Sequence, residues 1–257
     1  MASALIVHLP HDSTDIPARY RDQFVLSDEE LAKELLAMTD AHTAALFSGI
    51  CPPENALRAS VSRLLVDVER FADDAQEIMA SRGMGVIYTQ SSQRRPLRRP
   101  LRAEERDQLW KDFYYTHHAR FTQLVAAVLR QCGKVLILDA HSFPARPQPS
   151  ALDQAQDRPD ICIGTDDFHT PPQLSEALVG SFAKEGFSVK VNAPYAGAIV
   201  PTAYYQQEPA VSSVMIEVNR KLYMDERDGS RLPAFESLAE KVRSCSLIAV
   251  QSCGFGC

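Results

Sequence analysis

No apolar run in the 257 residues approaches the roughly 18 positions that a membrane-spanning helix needs, so neither a span nor a membrane partner is expected. A Gly-rich phosphate or dinucleotide loop is missing, as is the Gly-x-Ser-x-Gly turn that exposes a serine nucleophile. Basic residues are not in surplus either. The net charge of −6 argues against nucleic acid as a partner. The six cysteines supply no metal framework, because Cys51, Cys132, Cys162 and Cys245 stand isolated. Cys253 and Cys257 form one close pair in a Gly-rich tail and are read as having no role. No basic leader precedes the first apolar run, which predicts a cytoplasmic protein. Neither a repeat nor a low-complexity linker divides the chain, and its length suits one domain over residues 1–257.

What is present is an alternation of short apolar runs with longer amphipathic segments. The runs at 4–9, 57–66, 85–88, 134–139, 161–164, 187–191 and 213–218 have the length and composition of buried strands. Helical spacing recurs over 27–47, 103–130, 172–184 and 233–250. Ser27-Asp28-Glu29-Glu30 opens the first of these as a helix cap with an acidic first turn. Strands alternating with helices predict an α/β fold: a mixed, largely parallel sheet flanked by helices.

In such sheets ligands gather beyond the carboxyl ends of the strands, where His11 and His141 each follow an apolar run. Two imidazoles there either converge on one metal or reacting group, or serve as hydrogen-bonded structural residues. Asp40, at the end of a helical segment, is the best third ligand, because His42 two positions later points elsewhere on a helix. Asp139 shares a strand face with His141 and suits the carboxylate that orients a ligating imidazole. His8 reads as structural, His117 and His118 as surface or edge residues, and His169 as a loop residue. Arg63 and Arg70 end an apolar strand, which calls for carboxylate partners such as Asp67 or for an anionic ligand. Glu217, inside the run 214–220, is paired, metal-bound or functional, and burial would raise its pKa toward the range of a general base. The arginines of 94–102 lie in a proline-containing stretch that is either a solvated loop or a site of anion capture.

Five short motifs occur in order: Pro10-His11-Asp12-Ser13-Thr14-Asp15-Ile16-Pro17, Thr39-Asp40-Ala41-His42, Arg63 through Arg70, Asp139-Ala140-His141-Ser142, and Glu217 followed by Tyr223-Met224-Asp225-Glu226. Together they resemble the N-formylglutamate amidohydrolase family. The resemblance implies a phosphorylase/hydrolase-like architecture related to zinc carboxypeptidases. It also implies metal-dependent hydrolysis of an N-acyl amino acid, formylglutamate giving formate and glutamate in histidine catabolism. By the same resemblance, His11, Asp40 and His141 hold one Zn²⁺ or another divalent metal. Glu217 is then the general base, Arg63 stabilises the oxyanion, and Arg70 forks onto the carboxylate of a small anionic acylated amino acid. A monomer or small homo-oligomer is expected. Departures from the family pattern are Asp12-Ser13 for Ser-Gly, Ala41 for an aromatic residue, and Glu69 for the asparagine of Asp-x-Asn-Arg. The added negative charge of Glu69 is expected to weaken recognition of glutamate. A different small acylated substrate, or a binding protein without turnover on the same fold, are the rival readings.

Overall fold

The computed structural model describes residues 3–255, so Cys257 of the tail pair lies outside it. Strands β1 (Leu5–Leu9), β2 (Ala56–Arg58), β3 (Val135–Phe143), β4 (Ile161–Gly164), β5 (Val189–Val191) and β6 (Val211–Asn219) form one sheet. Their order is β2-β1-β3-β6-β4-β5. The first four in that order run parallel; β4 is antiparallel to β6 and parallel to β5. The mixed, largely parallel sheet expected from the sequence is therefore present.

Period-two alternation assigns each face of the sheet. Leu136, Leu138 and Ala140 join Val214, Ile216 and Val218 in a core with the helices Pro172–Lys184 and Phe235–Ser252. Ile6, Val135, Ile137 and Val211 face the other way, against Phe121, Val125 and Val128 of the helix Thr116–Cys132. Burying each such aliphatic side chain contributes about 2 kcal/mol. The same alternation sends His8, Asp139, His141 and Glu217 to the second face. There His8 is in register with Asp139, and His141 with Glu217.

Where the sequence differs from the structure, a side chain or a local turn explains it. The strand expected over 57–66 stops at Arg58. Val61, Leu64, Leu65 and Val66 instead enter a separate apolar cluster with Tyr20, Phe24, Tyr88 and Leu97. The carbonyls that a ladder would have satisfied are taken by the buried Arg98, whose Nη2 donates to Leu64 O at 2.6 Å and Leu65 O at 3.1 Å. The run 85–88 is likewise no strand; it packs into that cluster, and Val86 O accepts the Asp67 N–H at 2.8 Å. Arg99 is held by Glu105 and Asp22, so these two arginines of the 94–102 stretch are structural. The single helix expected over 27–47 is broken into Asp28–Met38 and Thr43–Leu46, with His42 left-handed at φ 69°. The segment 103–130 is one long helix interrupted by a π-helical turn, Trp110–Tyr115. No helix among the described residues is long and apolar enough to cross a membrane.

Candidate functional site

The break in the first helix is what delivers Asp40. Its backbone N–H donates to His11 O at 2.9 Å, so the residue is clamped beside the end of β1. Its Oδ2 lies 3.1 Å from His141 Nδ1 and 3.7 Å from His11 Nδ1, and it also accepts the Ser142 N–H at 3.2 Å. Arg220, just beyond β6, donates from Nη2 to Asp40 Oδ1 at 2.9 Å. His11, Asp40 and His141, named from three distant segments, thus meet at one rim of the sheet. His11 and His141 have ring centroids 5.1 Å apart.

The chain that leaves the sheet at Arg58 crosses this rim and faces the other nitrogens of both rings. His11 Nε2 lies 2.8 Å from Asp67 Oδ1 and 3.5 Å from Glu69 Oε2. His141 Nε2 lies 3.0 Å from Glu69 Oε1 and 3.2 Å from Asp139 Oδ1. One triplet, His11, Glu69 and His141, has donor atoms all within 4.8 Å of one another; a second, His8, Glu69 and Asp139, adjoins it. Asp40 belongs to neither triplet and approaches the imidazoles from the Nδ1 side.

Arg63 and Arg70 both turn to Asp67. Arg63 Nη2 donates to Asp67 Oδ2 at 2.9 Å, and Arg70 Nε lies 3.3 Å from the same oxygen. Tyr88 donates to that oxygen at 2.5 Å and accepts from both arginines. The ion pair that the sequence offers as an alternative to anion binding is therefore formed, and by both arginines. Their side chains remain 14% and 19% exposed, which leaves an edge of each open to a ligand.

Electrostatics at the rim follow from burial and a surplus of carboxylates. Asp40, Asp67, Glu69, Asp139 and Glu217 outnumber the guanidiniums of Arg63, Arg70 and Arg220. Burial alone would lower His11, and Arg63 adds to that, yet Asp67 and Asp40 hold its pKa above the usual imidazole value. For His141, burial is again outweighed, here by Glu69, Asp139 and Asp40, and its pKa stands well above the usual value. Burial would also raise Asp40, but its contacts with His11 and His141 and the charge of Arg220 keep it well below the carboxylate range. Glu217 is different: burial pushes it up to about 8, and its Oε2 is buried without a hydrogen-bond partner.

The donor set fits a divalent cation. Among the described residues, the donors near enough to share one ion here are those of His11, Glu69 and His141, with Asp40 Oδ2 facing the Nδ1 side of both rings and His11 Nδ1 buried without a hydrogen-bond partner. Imidazoles and a carboxylate suit zinc, and each ring's other nitrogen has a carboxylate to fix its orientation.

Residues that sequence reasoning left aside also enter the site. His8, read as structural, and His117, read as a surface or edge residue, form a buried chain: His117 Nε2 to His8 Nε2 at 2.9 Å, then His8 Nδ1 to Asp139 at 2.8 Å. The signal for His117 was its spacing, four residues before Phe121, on the apolar stripe of its helix. Tyr88 closes an apolar run, and Arg220 follows the run that carries Glu217; each polar end group marked where a buried segment meets the rim.

Comparison with known proteins identifies the family and the fold. The profile of the N-formylglutamate amidohydrolase family matches residues 3–224. An N-formylglutamate deformylase from Pseudomonas aeruginosa is 27% identical over 231 residues, covering 87% of this chain and 83% of that protein. The crystal structure of an N-formylglutamate amidohydrolase from Ralstonia eutropha JMP134 superposes with a TM-score of 0.83 at 24% identity, covering 97% of this chain and 94% of that one. An Agrobacterium tumefaciens gene product superposes with a TM-score of 0.65 at 19% identity, covering 98% and 92%.

Proposed function

Because the chain belongs to the N-formylglutamate amidohydrolase family, we propose that it hydrolyses the amide bond of a small N-formyl or N-acyl amino acid, with N-formylglutamate the first substrate to test. The observation that carries this reading is the meeting of His11, Asp40 and His141 on the sheet face that also bears Glu217. His11, Asp40 and His141 would hold a zinc ion, with Glu69 beside both rings, and its Lewis acidity, when bound, would polarise the acyl carbonyl and acidify a water molecule.

The remaining roles fall to the chain's own groups. Glu217, unpartnered at Oε2, accepts the proton of the attacking water and returns it to the leaving amine nitrogen as the C–N bond breaks. Water and amide are thereby converted to carboxylic acid and amine, which separate as carboxylate and ammonium when the acid's proton passes to the amine. Arg63 stabilises the tetrahedral oxyanion, a donor role often worth about 3 kcal/mol. Asp67 holds both His11 and the two arginines, so one carboxylate sets the spacing between the metal side and the anion side of the site. Arg70 meets the carboxylate of the substrate with its exposed edge.

A second substrate reading has its own support. Asp67 already neutralises part of Arg63 and Arg70, which lowers the charge available for a dicarboxylate. A small acylated amino acid without a second carboxylate then becomes the better ligand. Formate or carboxylate release from a panel of N-formyl and N-acyl amino acids, with chelated and zinc-loaded protein, separates the two. Glu217→Gln is expected to keep its metal and lose turnover by about 10²- to 10⁴-fold, the usual worth of a general base. Near-wild-type turnover in that variant, or no hydrolysis of any amide in the panel, would overturn the reading.

A further inference from the structure

Beside the imidazoles of the proposed centre lies a second group of donors that the hydrolytic scheme does not use. His8, Glu69 and Asp139 present ligand atoms within 4.8 Å of one another. His8 and Asp139 are fully buried, whereas Glu69 is 18% exposed at its side chain. Asp139 Oδ2 is buried and has no hydrogen-bond partner. Among the described residues, the ion contacts of Glu69 and Asp139 run only to histidines; no lysine or arginine nitrogen lies within 4.0 Å of either carboxylate. The positive charge nearest them is that of the His11 and His141 rings, which Asp40 and Asp67 also share, so Asp139 Oδ2 stays buried and unpaired, a costly arrangement that a cation would complete.

We infer that His8, Glu69 and Asp139 form a second divalent-cation site next to the His11–Asp40–His141 centre. The inference rests on reading that rim as a cation centre and extends it to a pair of ions. The tautomers are consistent with it. If His8 gives Nδ1 to a cation, its Nε2–H donates to His117 Nε2, 2.9 Å away, so a ligating ring gains the outer acceptor that such rings usually have. Burial lowers both His8 and His117 well below the usual imidazole pKa, so neither ring competes as a charged group. Glu69 contacts both imidazoles of the first centre and belongs to the second donor set, which places its carboxylate between the two sites. An asparagine at this position would bring no charge. The glutamate therefore changes the metal chemistry of the rim and not only its affinity for substrate.

The test is a titration of chelator-stripped full-length protein with Co²⁺, followed by visible absorption, and with Zn²⁺, followed by metal analysis after gel filtration. Wild type is expected to take up two equivalents per chain, with two breaks in the Co²⁺ spectrum. Glu69→Asn and His8→Ser should each take up one, and Asp40→Asn should lose the other. The inference is overturned if wild type binds one equivalent that Glu69→Asn and His8→Ser retain; the first centre then survives alone. A single equivalent lost in Glu69→Asn and His8→Ser but kept in Asp40→Asn would support the second site and refute the first. The wild-type endpoint needs no variant, so a folding defect in His8→Ser, checked by circular dichroism, does not blunt the result.

Discussion

Glu217 should make the metal-free protein lose stability as pH rises, and replacing it by glutamine should remove that loss. The side chain is buried on β6, and burial lifts its pKa from 4.5 to about 8. A group whose pKa is raised by folding binds its proton more tightly in the folded chain. Its contribution is therefore greatest below pH 4.5 and declines as pH climbs through 8. At about 1.4 kcal/mol for each tenfold in proton affinity, the decline is on the order of 5 kcal/mol and is complete above pH 8. Glutamine has nearly the shape of the protonated acid and no charge to gain. The measurement is denaturant unfolding of chelator-treated wild type and Glu217→Gln from pH 5 to pH 8.5, taking the difference between them so that other titrating groups cancel. Near pH 5 the two should be close; by pH 8.5 the variant should be more stable by several kcal/mol. A cation in the site attracts the same carboxylate, so zinc should flatten the difference. If the difference between variant and wild type does not change with pH in the absence of metal, Glu217 is not the buried acid described here.

Other expectations follow from contacts at the rim. Asp67→Asn strips the shared partner from Arg63, Arg70 and His11; it should cost about 3–5 kcal/mol, as breaking a buried ion pair does, measured by urea unfolding. Arg98→Met should cost about 2–3 kcal/mol, because it leaves the Leu64 and Leu65 carbonyls without a donor, and should also lower activity by loosening the turn that carries Arg63 and Asp67. Chelation should abolish amide hydrolysis and zinc should restore it, followed by formate release. In acid, His8 should oppose folding: burial holds its pKa at about 3, so the unfolded chain takes up the proton first and stability falls as pH drops below 6.5.

Much of the architecture was legible because short, continuous apolar runs are a strong signal. The runs that became β1, β3, β4 and β6 are apolar on both faces, as a parallel core requires, and their carboxyl ends carried His11, His141 and Glu217. The residues that failed to follow the pattern did so for tertiary reasons. An apolar run at 59–66 has the composition of a strand, and only the distant Arg98, which takes its carbonyls, reveals that it turns away from the sheet. The helix break at 39–42 depends on the Asp40 N–H finding His11 O across the rim, a contact that helical periodicity does not encode. Glu69 was visible as a departure from a family pattern, but its position between two imidazoles required three-dimensional register, since His11, Glu69 and His141 are far apart in sequence.

The π-helical turn at Trp110–Tyr115 bears on all of this from a distance. A π turn accommodates one residue more than an α turn, so side chains after it are rotated by about 100° from where an unbroken helix would aim them. Before it, Leu109 is directed into the cluster formed by the irregular connection; after it, Phe121, Val125 and Val128 are directed beneath the strands. One continuous rod thus serves two separate interiors that lie in different directions. The phase change also turns His117 toward His8, which ties the polar chemistry at the strand ends to a single supernumerary residue a full turn upstream.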